Sequence, residues 1–311
     1  MSLPTHNDVH IDQIMTNISI AYRNGYYIAD QVFPLVNVKK QSDKYFVFTK
    51  GDWFRNTAKK RAPGGRSEGS GFRLSDGSYY CEEVAEHTLL EDETRDNADS
   101  VLNYETNKVN FVTDKILLEL EERIEKMCMT TTNWDNYSTP TNLWSDYDNS
   151  DPLADIETAI DTIEGISGRL ANTMVISNDV WKKLKHHPQL LDRMPVTGLR
   201  SATIDILKAL TGIDKILIGR SLVNTAVEGQ ATDVFARIWS KDVWVGHVAA
   251  APALDTPSAG YTFVWPRDGQ IRGVRRWRDE DHHSDKIEAF MCYDDKVTGS
   301  DLGYVLDAVI A

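Results

Sequence analysis

The sequence has 311 residues, of which 41% are hydrophobic and 26% charged, and its formal net charge at pH 7 is -13. This length and balance are typical of a globular protein with one large or two modest cores, and they exclude a wholly disordered chain. The acidic charge disfavours sequence-specific binding of DNA or RNA by the body of the protein, because a phosphate backbone repels it.

The first 45 residues have the pattern of an arm rather than of a core. A short amphipathic stretch runs from Ile11 to Tyr22, and Pro34 then interrupts any helix in a segment rich in β-branched residues. The opening MSLPTHNDVHIDQ lacks the basic start and the continuous apolar run of a signal peptide, and no later apolar stretch is long enough to cross a bilayer. We therefore expect the chain to be made and kept in the cytosol.

Two adjacent segments carry opposite charge. Residues 50–73, which we call the basic loop, hold seven basic and two acidic side chains, and residues 76–99, the acidic stem, hold nine acidic side chains and one basic. The loop includes the glycine-rich stretch RAPGGRSEGSGFRLS. Such a stretch is too polar for a core, and it predicts an exposed hairpin tip that reaches another molecule.

The strongest helical signal follows the acidic stem. From residue 96 to residue 129, apolar side chains recur mostly at three- and four-residue steps, as in Val112, Ile116, Leu120 and Ile124. The spacing predicts one helix that, at about 1.5 Å per residue, runs roughly 50 Å and acts as a spine.

A second domain is predicted to begin at Asp151, whose carboxylate can cap a helix that starts with Pro152. The stretches PLADIETAIDTIEGI, TMVIS, DVWKKLKHH, SATIDILKALTG and DKILIG then alternate between helical and strand patterns, with Ser201 expected to cap one helix and Gly212 to end it. From residue 233 onward the patterns are mostly those of strands, and GVRRWR and IEAFMCY, joined by DEDHHSD, predict a long hairpin with a charged tip.

No stretch has the full pattern of a catalytic or ligand-binding motif. Residues 65–69 match the G-x-S-x-G nucleophile elbow with Ser67 as the serine, but their flanks have neither the strand nor the helix that the elbow needs. The same stretch lacks the Gly-Lys-Ser/Thr ending of a phosphate loop. Catalysis by Ser67 stays an unfavoured alternative.

Other reactive side chains are better explained by structure than by chemistry. Asp146, Asp148, Ser150 and Glu157 have part of a calcium-loop spacing, but Asp151 stands where that loop needs glycine, so capping of a helix and a solvated loop are favoured. The three cysteines are expected to be free and buried, the paired histidines to lie at the surface, and the tryptophans to serve sheet packing or subunit contacts. These are Cys81, Cys128 and Cys292; His186, His187, His282 and His283; and Trp181, Trp239, Trp244, Trp265 and Trp277. We expect no metal, no cofactor and no enzyme activity.

Four stretches follow one another along the chain: DQVFPLVNVKKQSDKYFVF, RAPGGRSEGSGFRLSDGSYYCEEVAEHTLLEDETRDNAD, TMVISNDVWKKLKHHPQLL and LTGIDKILIGRSLVNTA. These stretches and the order of the features above resemble the major capsid proteins of tailed bacteriophages, which have the Hong Kong 97-type fold. This resemblance implies an α+β fold with an N-terminal arm, an extended β-hairpin loop, a long spine helix in a peripheral domain, and an α/β axial domain. The implied boundaries are 1–48 for the arm, 49–92 for the extended loop, 93–150 with 256–294 for the peripheral domain, and 151–255 with 295–311 for the axial domain.

The resemblance also implies a function in assembly. The chain would form hexamers and pentamers of an icosahedral head shell that encloses the phage DNA, with a separate scaffolding protein and a portal as partners, and it would be assembled in the host cytoplasm. An encapsulin-like cellular nanocompartment, which shares the fold, is the alternative. Some relatives crosslink a loop lysine to a distant asparagine; Lys59 or Lys60 could be placed for this, but no partner is evident, and we predict no crosslink.

The charge pattern adds a physical argument for contacts between copies. A basic loop beside an acidic stem is not expected to neutralise itself along one hairpin, whereas head-to-tail neighbours can pair loop with stem. The predicted assembly residues come from the loop, the stem and the tip of the later hairpin. They are Lys59, Lys60, Arg61, Arg66, Arg73, Glu82, Glu83, Glu86, Arg278, Asp279, Glu280 and Asp281.

Overall fold

The computed structural model describes residues 27–48, 50–67, 69–97, 104–193, 201–252, 256–267 and 271–311. The amphipathic stretch from Ile11 to Tyr22 lies outside these ranges. The helices are α1 Ala29–Val32, α2 Lys50–Trp53, α3 Asp92–Asp96, α4 Tyr104–Met129, α5 Pro152–Ser167, α6 Asn178–Leu184, α7 Pro188–Asp192 and α8 Ile204–Thr211. The strands are β1 Leu35–Asn37, β2 Ser42–Phe48, β3 Leu74–Tyr80, β4 Glu82–Glu91, β5 Asn136–Ser138, β6 Thr173–Ser177, β7 Lys215–Gly219, β8 Leu222–Asn224, β9 Phe235–Arg237, β10 Val243–Gly246, β11 Gly260–Val264, β12 Arg272–Asp279, β13 Ser284–Val297 and β14 Gly303–Leu306.

The first of two five-stranded sheets, sheet I, is organised around β13. Its path is β1-β11-β13-β12, and β4 also pairs with β13. The hairpin of β12 and β13 confirms the predicted pair of strands, and the turn between them contains His283 with a φ of 44°. Strands β4 and β12 pair with the same part of β13 from its two sides. The acidic stem strand β4 is therefore separated from the arginine-rich strand β12 by β13 alone.

The described part of the predicted spine helix is α4, which has 26 residues and is about 39 Å long. Asp96, where the sequence predicts this helix to begin, belongs instead to the short helix α3, which corrects the predicted start. Residues 98–103 lie outside the described ranges. Val112, Ile116, Leu120 and Ile124 are buried, as their spacing predicts, because they share the face that packs on sheet I.

Residues 28–33, near the end of the predicted arm, belong to the core, which corrects the arm interpretation for that segment. Val32 and Phe33 are fully buried in the same hydrophobic cluster as α4 and β13. The backbone N–H groups of Ile28 and Ala29, at the start of α1, both donate to the carboxylate of Glu121 on α4 at 2.9 Å. A buried charge thus attaches this segment to the spine helix.

Sheet II has the order β5-β14-β10-β6-β7 and carries α5 to α8. Asp151 caps α5 as predicted, because its Oδ1 accepts a hydrogen bond from the Ala154 N–H, and Pro152 is the first helical residue. Gly212 ends α8 with a φ of 71°, also as predicted. Ser201 is not the cap of α8: Thr203 occupies that position, without a side-chain hydrogen bond.

The polar stretch between α4 and α5 is anchored by two tryptophans. Trp144 is fully buried and donates its indole N–H to Asp155, and Trp134 donates to the carbonyl of Cys128. Each indole has both an apolar contact surface and a hydrogen-bond acceptor, which is what a buried tryptophan needs.

No helix in the described part of the chain is long and apolar enough to cross a membrane.

Candidate assembly surfaces

The basic loop is carried by a two-stranded hairpin. Strand β2 pairs with β3 over seven residues, from Ser42 opposite Tyr80 to Phe48 opposite Leu74. Beyond the one-turn helix α2, residues 54–67 and 69–73 have neither helix nor strand and are exposed. Lys59, Lys60, Arg61 and Arg66 all lie in this exposed part, so the structure places four predicted assembly residues at the surface.

The root of this hairpin is held firmly against sheet I. The rings of Tyr45 and Tyr79 stack on Phe263 of β11, with centroid distances of 5.3 and 4.8 Å. The backbone N–H of Tyr80 donates to Asp294 of β13 at 2.8 Å. Stacking and a hydrogen bond to a carboxylate each resist rotation, so the root fixes the direction in which the basic loop leaves the body.

Some charges of the basic loop are already paired within the chain. Arg73 donates to Asp52 from its backbone N–H and its guanidinium, both at 3.0 Å, and these hydrogen bonds hold the pKa of Asp52 below its ordinary value. Lys50 forms an ion pair with Asp301, which precedes β14. The loop is therefore closed at its base and attached to the body.

Part of the acidic stem is also neutralised within the chain, by arginines outside the basic loop that the charge argument from the sequence did not consider. Glu83 pairs with Arg267 and Arg275, at 2.5 and 3.3 Å, and Asp92 pairs with Arg278 at 2.5 Å. The hydrogen bonds from Arg278 lower the pKa of Asp92. Glu83 meets Arg275 because β12 and the stem strand β4 flank the same length of β13, which brings sequence-distant charges together.

The remaining stem candidates are Glu82 and Glu86, and both are exposed. Opposite them along the sheet are Tyr293 and Ala289 of β13, neither of which carries a compensating charge. Their role in assembly, like that of the other predicted residues, stays a prediction.

The tip of the β12–β13 hairpin presents acidic side chains. The Asp279 carboxylate accepts from Lys286 at 2.7 Å and from His282 at 3.0 Å, and the Lys286 hydrogen bond is the main cause that lowers its pKa to about 2. Glu280 and Asp281 at the turn are exposed. Arg278 and Asp279 thus form ion pairs within the chain, Glu280 lies 3.7 Å from the guanidinium of Arg278, and the role of Glu280 and Asp281 in contacts between copies stays a prediction.

Ser67 lies in an exposed, irregular part of the basic loop. The nucleophile elbow requires a serine between a buried strand and a helix, and the described residues around Ser67 form neither.

Within the described residues, no group of three or more His, Cys, Asp or Glu side chains is placed to hold a metal ion. Asp146 instead accepts from Asn149 in a local turn, which agrees with the solvated-loop interpretation.

The structure contains a buried serine–histidine pair that the sequence did not predict. His187, predicted to be at the surface, is fully buried, and its Nε2 lies 2.9 Å from Ser150 Oγ. Its Nδ1 accepts the backbone N–H of Gln189 at the start of α7, so the ring proton is on Nε2. A ring in this tautomer donates to the serine and has no lone pair there to take its proton. His187 therefore caps α7, and its ring N–H is hydrogen-bonded to Ser150, whose hydroxyl donates to the backbone carbonyl of Asp146.

Comparison with known proteins identifies relatives over nearly the whole length. No family model matches the chain. The major capsid protein of Burkholderia phage BcepMu is 25% identical and covers 96% of both chains, and that of Pseudomonas phage JBD67 is 28% identical over 242 residues, 74% of each. The chain is a homologue of phage major capsid proteins.

Solved structures agree with this relationship. A phage-related protein from Bordetella bronchiseptica is 26% identical, with a TM-score of 0.73 over 96% of this chain and 97% of its own. The mature capsid of bacteriophage PhiM1 gives a TM-score of 0.54 at 14% identity, covering 90% of this chain and 86% of its own. The encapsulin SrpI of Synechococcus elongatus gives 0.51 at 8%, covering 93% and 89%. The α+β fold of this capsid homologue is of the Hong Kong 97 type.

Proposed function

We propose that this capsid homologue is the structural subunit that self-assembles into the head shell of a tailed bacteriophage. The observation that carries the proposal is the relationship to the BcepMu major capsid protein, which extends over 96% of both chains. A match over that length includes the basic loop, the spine helix and both sheets, and is not limited to one shared domain. The role is that of a building block, without a catalytic step.

The geometry supports an assembly function in a second way. A basic loop with a rigid root and an acidic β12–β13 tip lie at separate places on one subunit, so each can meet a different neighbour. Exposed ion pairs contribute only about 0 to 1 kcal/mol each, so these charges would set register, while buried apolar area between copies would hold the shell together.

Finer features of the proposal follow from the family. The copies would form hexamers and pentamers around axial domains, with residues 151–255 and 295–311 facing the centres and the extended loop of residues 49–92 reaching a neighbour. Residues 93–150 and 256–294 would form the peripheral domain. A separate scaffolding protein and a portal would be the partners, the shell would enclose DNA without reading its sequence, and assembly would take place in the host cytoplasm before the shell becomes part of the virion.

An encapsulin-like compartment is the second candidate, because SrpI encapsulin shares the fold. The two candidates differ in what they enclose. A cargo enzyme that copurifies, or a small uniform shell that forms without any scaffold, would favour the compartment.

The test is assembly of the recombinant protein, observed by negative-stain electron microscopy and by light scattering. The wild type is expected to form shells, tubes, or isolated pentamers and hexamers. A variant with Lys60→Glu, Arg61→Glu and Arg66→Glu is expected to remain a soluble, folded subunit that does not assemble, because the loop charges, now acidic, no longer complement an acidic surface on the neighbouring subunit. Normal shells from this variant would contradict a role of the loop charges, and a wild type that is monomeric under every condition would contradict the proposed function.

A matched control separates the position of the charges from their number. Lys126→Glu, Lys183→Glu and Lys241→Glu change the net charge by the same amount at three exposed positions outside the basic loop. This variant is expected to assemble as the wild type does. If it fails equally, general repulsion between copies explains the result, not the loop.

A further inference from the structure

An apolar groove lies beneath the root of the basic loop. It has a volume of about 870 Å³ and lies between the loop on one side and residues 167–169, 256–258 and 298–302 on the other. Three phenylalanines line it and remain largely exposed: Phe46 at 61%, Phe54 at 68% and Phe72 at 57%. We call this feature the root groove. A cluster of exposed aromatic rings around a concave surface marks an interaction site.

A second apolar surface projects from sheet II. The hairpin of β8 and β9, with its connecting residues 225–234, exposes four large apolar side chains. They are Leu222 at 44%, Val227 at 71%, Val234 at 52% and Phe235 at 67% exposure. This surface is carried by a two-stranded hairpin with three paired residues in each strand, whereas the root groove is concave.

The two surfaces lie at opposite ends of sheet II. Residues 167–169 and Leu302, in the root groove, come just before Thr173 of β6 and Gly303 of β14, and both of these residues pair with Gly246 at one end of the sheet. The β8–β9 hairpin follows Gly219, which pairs with Ser177 at the other end.

This separation keeps the hairpin and the groove of one molecule apart. The five residues of β6 span roughly 16 Å at about 3.3 Å per residue. The entry to the hairpin is also tethered, because Ser221 is fully buried and donates to Glu121 at 3.2 Å. In this arrangement the hairpin lies away from the root groove of its own molecule, which leaves that groove open to the hairpin of a different molecule.

The charges of the two surfaces are complementary. The connecting residues 225–234 contain Glu228 and Asp233 and no basic residue, while Arg237 of β9 is paired with Asp179 at 2.8 Å. Arg169 lines the root groove and is exposed, Arg55 follows Phe54 at its edge, and the other two charged lining residues, Lys50 and Asp301, pair with each other. The acidic tip of the hairpin and the basic rim of the groove attract each other, and the attraction orients the apolar contact.

We propose that the β8–β9 hairpin of one copy inserts into the root groove of the next copy. The contact joins two different surfaces of the same chain, so it is heterologous, and repeated contacts of this kind close into rings or extend into a lattice. The inference rests on the proposed function, because it names one contact through which the subunits assemble. In this contact Phe235 and Val227 would pack between Phe54 and Phe72.

The test uses two variants that each destroy one side of the contact. The hairpin variant carries Val227→Ser and Phe235→Ser, and the groove variant carries Phe54→Ser and Phe72→Ser. All four side chains are more than half exposed, so the subunit should fold without them. Each variant alone is expected to need at least about tenfold more protein than the wild type to associate, by light scattering and sedimentation velocity.

An equimolar mixture of the two variants gives the decisive measurement. The hairpin variant keeps an intact groove and the groove variant keeps an intact hairpin, so each mixed pair has one functional contact. The expected product is a heterodimer that does not grow further, and its formation also shows that both variants are folded. The control variant Phe111→Ser with Val274→Ser, at positions that are 47% and 49% exposed and outside both surfaces, should associate like the wild type.

The outcomes separate this inference from the proposed function. If the wild type assembles while the mixture stays monomeric, or if either variant alone assembles normally, the hairpin–groove contact is wrong and the shell function stands. If the wild type is monomeric at every concentration, both fail.

Discussion

Replacing Glu121 is expected to destabilise the unassembled subunit more than any other single carboxylate change on the spine helix. This side chain is fully buried, and burial raises its pKa. It accepts hydrogen bonds from the backbone N–H groups of Ile28 and Ala29, from the hydroxyl of Ser221 at 3.2 Å, and from the indole of Trp239 at 2.6 Å. One carboxylate therefore joins the arm, the spine helix and the segment around β8 and β9.

The expected magnitude follows from these four donors. Hydrogen bonds to a charged group contribute about 1.5 to 3 kcal/mol each, but bonds to one acceptor are not additive, and Glu121→Ala also leaves a cavity. We expect a loss of about 4 kcal/mol in the free energy of unfolding for Glu121→Ala. Glu121→Gln should lose about 2 kcal/mol, because the amide keeps one accepting oxygen and turns an NH₂ group toward donors.

Urea unfolding of the unassembled subunit, followed by tryptophan fluorescence, measures the effect. At a slope of about 3 kcal/mol per molar urea, Glu121→Ala lowers the midpoint by about 1.3 M. Glu119→Ala, an exposed position on the same helix, is the control and should change the free energy by less than about 0.5 kcal/mol. A Glu121→Ala effect no larger than that of the control would refute the reasoning that this carboxylate organises three segments.

Three further outcomes test the interior. Burial raises the pKa of Asp295 to about 6, so between pH 4 and pH 6 the folded state holds a proton that the unfolded state has released. The free energy of unfolding therefore falls as pH rises from 4 to 7. Asp295→Asn should remove about 3 kcal/mol of that fall, measured by urea unfolding at each pH. Burial lowers the pKa of His187, so stability falls as pH drops below about 6.5, and His187→Gln should flatten the decline between pH 7 and pH 5. Gly168→Ala and Gly212→Ala should each lower the free energy of unfolding by about 1 kcal/mol, because both glycines have a positive φ, 66° and 71°. Only the new methyl group of Gly168→Ala would meet the Phe54 ring, so only this variant should also weaken association. Equal association of the two variants would contradict the placement of Phe54.

Interactions between residues that are close in the sequence determined the helix face, the helix ends and the exposed loop that could be predicted without the structure. The four-residue spacing of Val112 to Ile124 determined the buried face of α4, Asp151 determined where α5 begins, and Gly212 determined where α8 ends. The charged and glycine-rich composition of residues 61–75 determined that this loop is exposed. In each case the deciding interaction joins residues within one or two turns, so it can be read without knowing the rest of the fold.

Only the tertiary structure decided which distant groups meet. Glu83 on β4 pairs with Arg275 because β13 lies between β4 and β12, and Asp92, the first residue after β4, pairs with Arg278 of β12 at the same edge; no sequence spacing reports either adjacency. The burial of Glu121, and the separation of the β8–β9 hairpin from the root groove, likewise depend on strand order in the two sheets. Charge counted along the chain did not show that Glu83 and Asp92 are compensated in space, because electrostatic attraction follows distance between atoms and not distance in sequence.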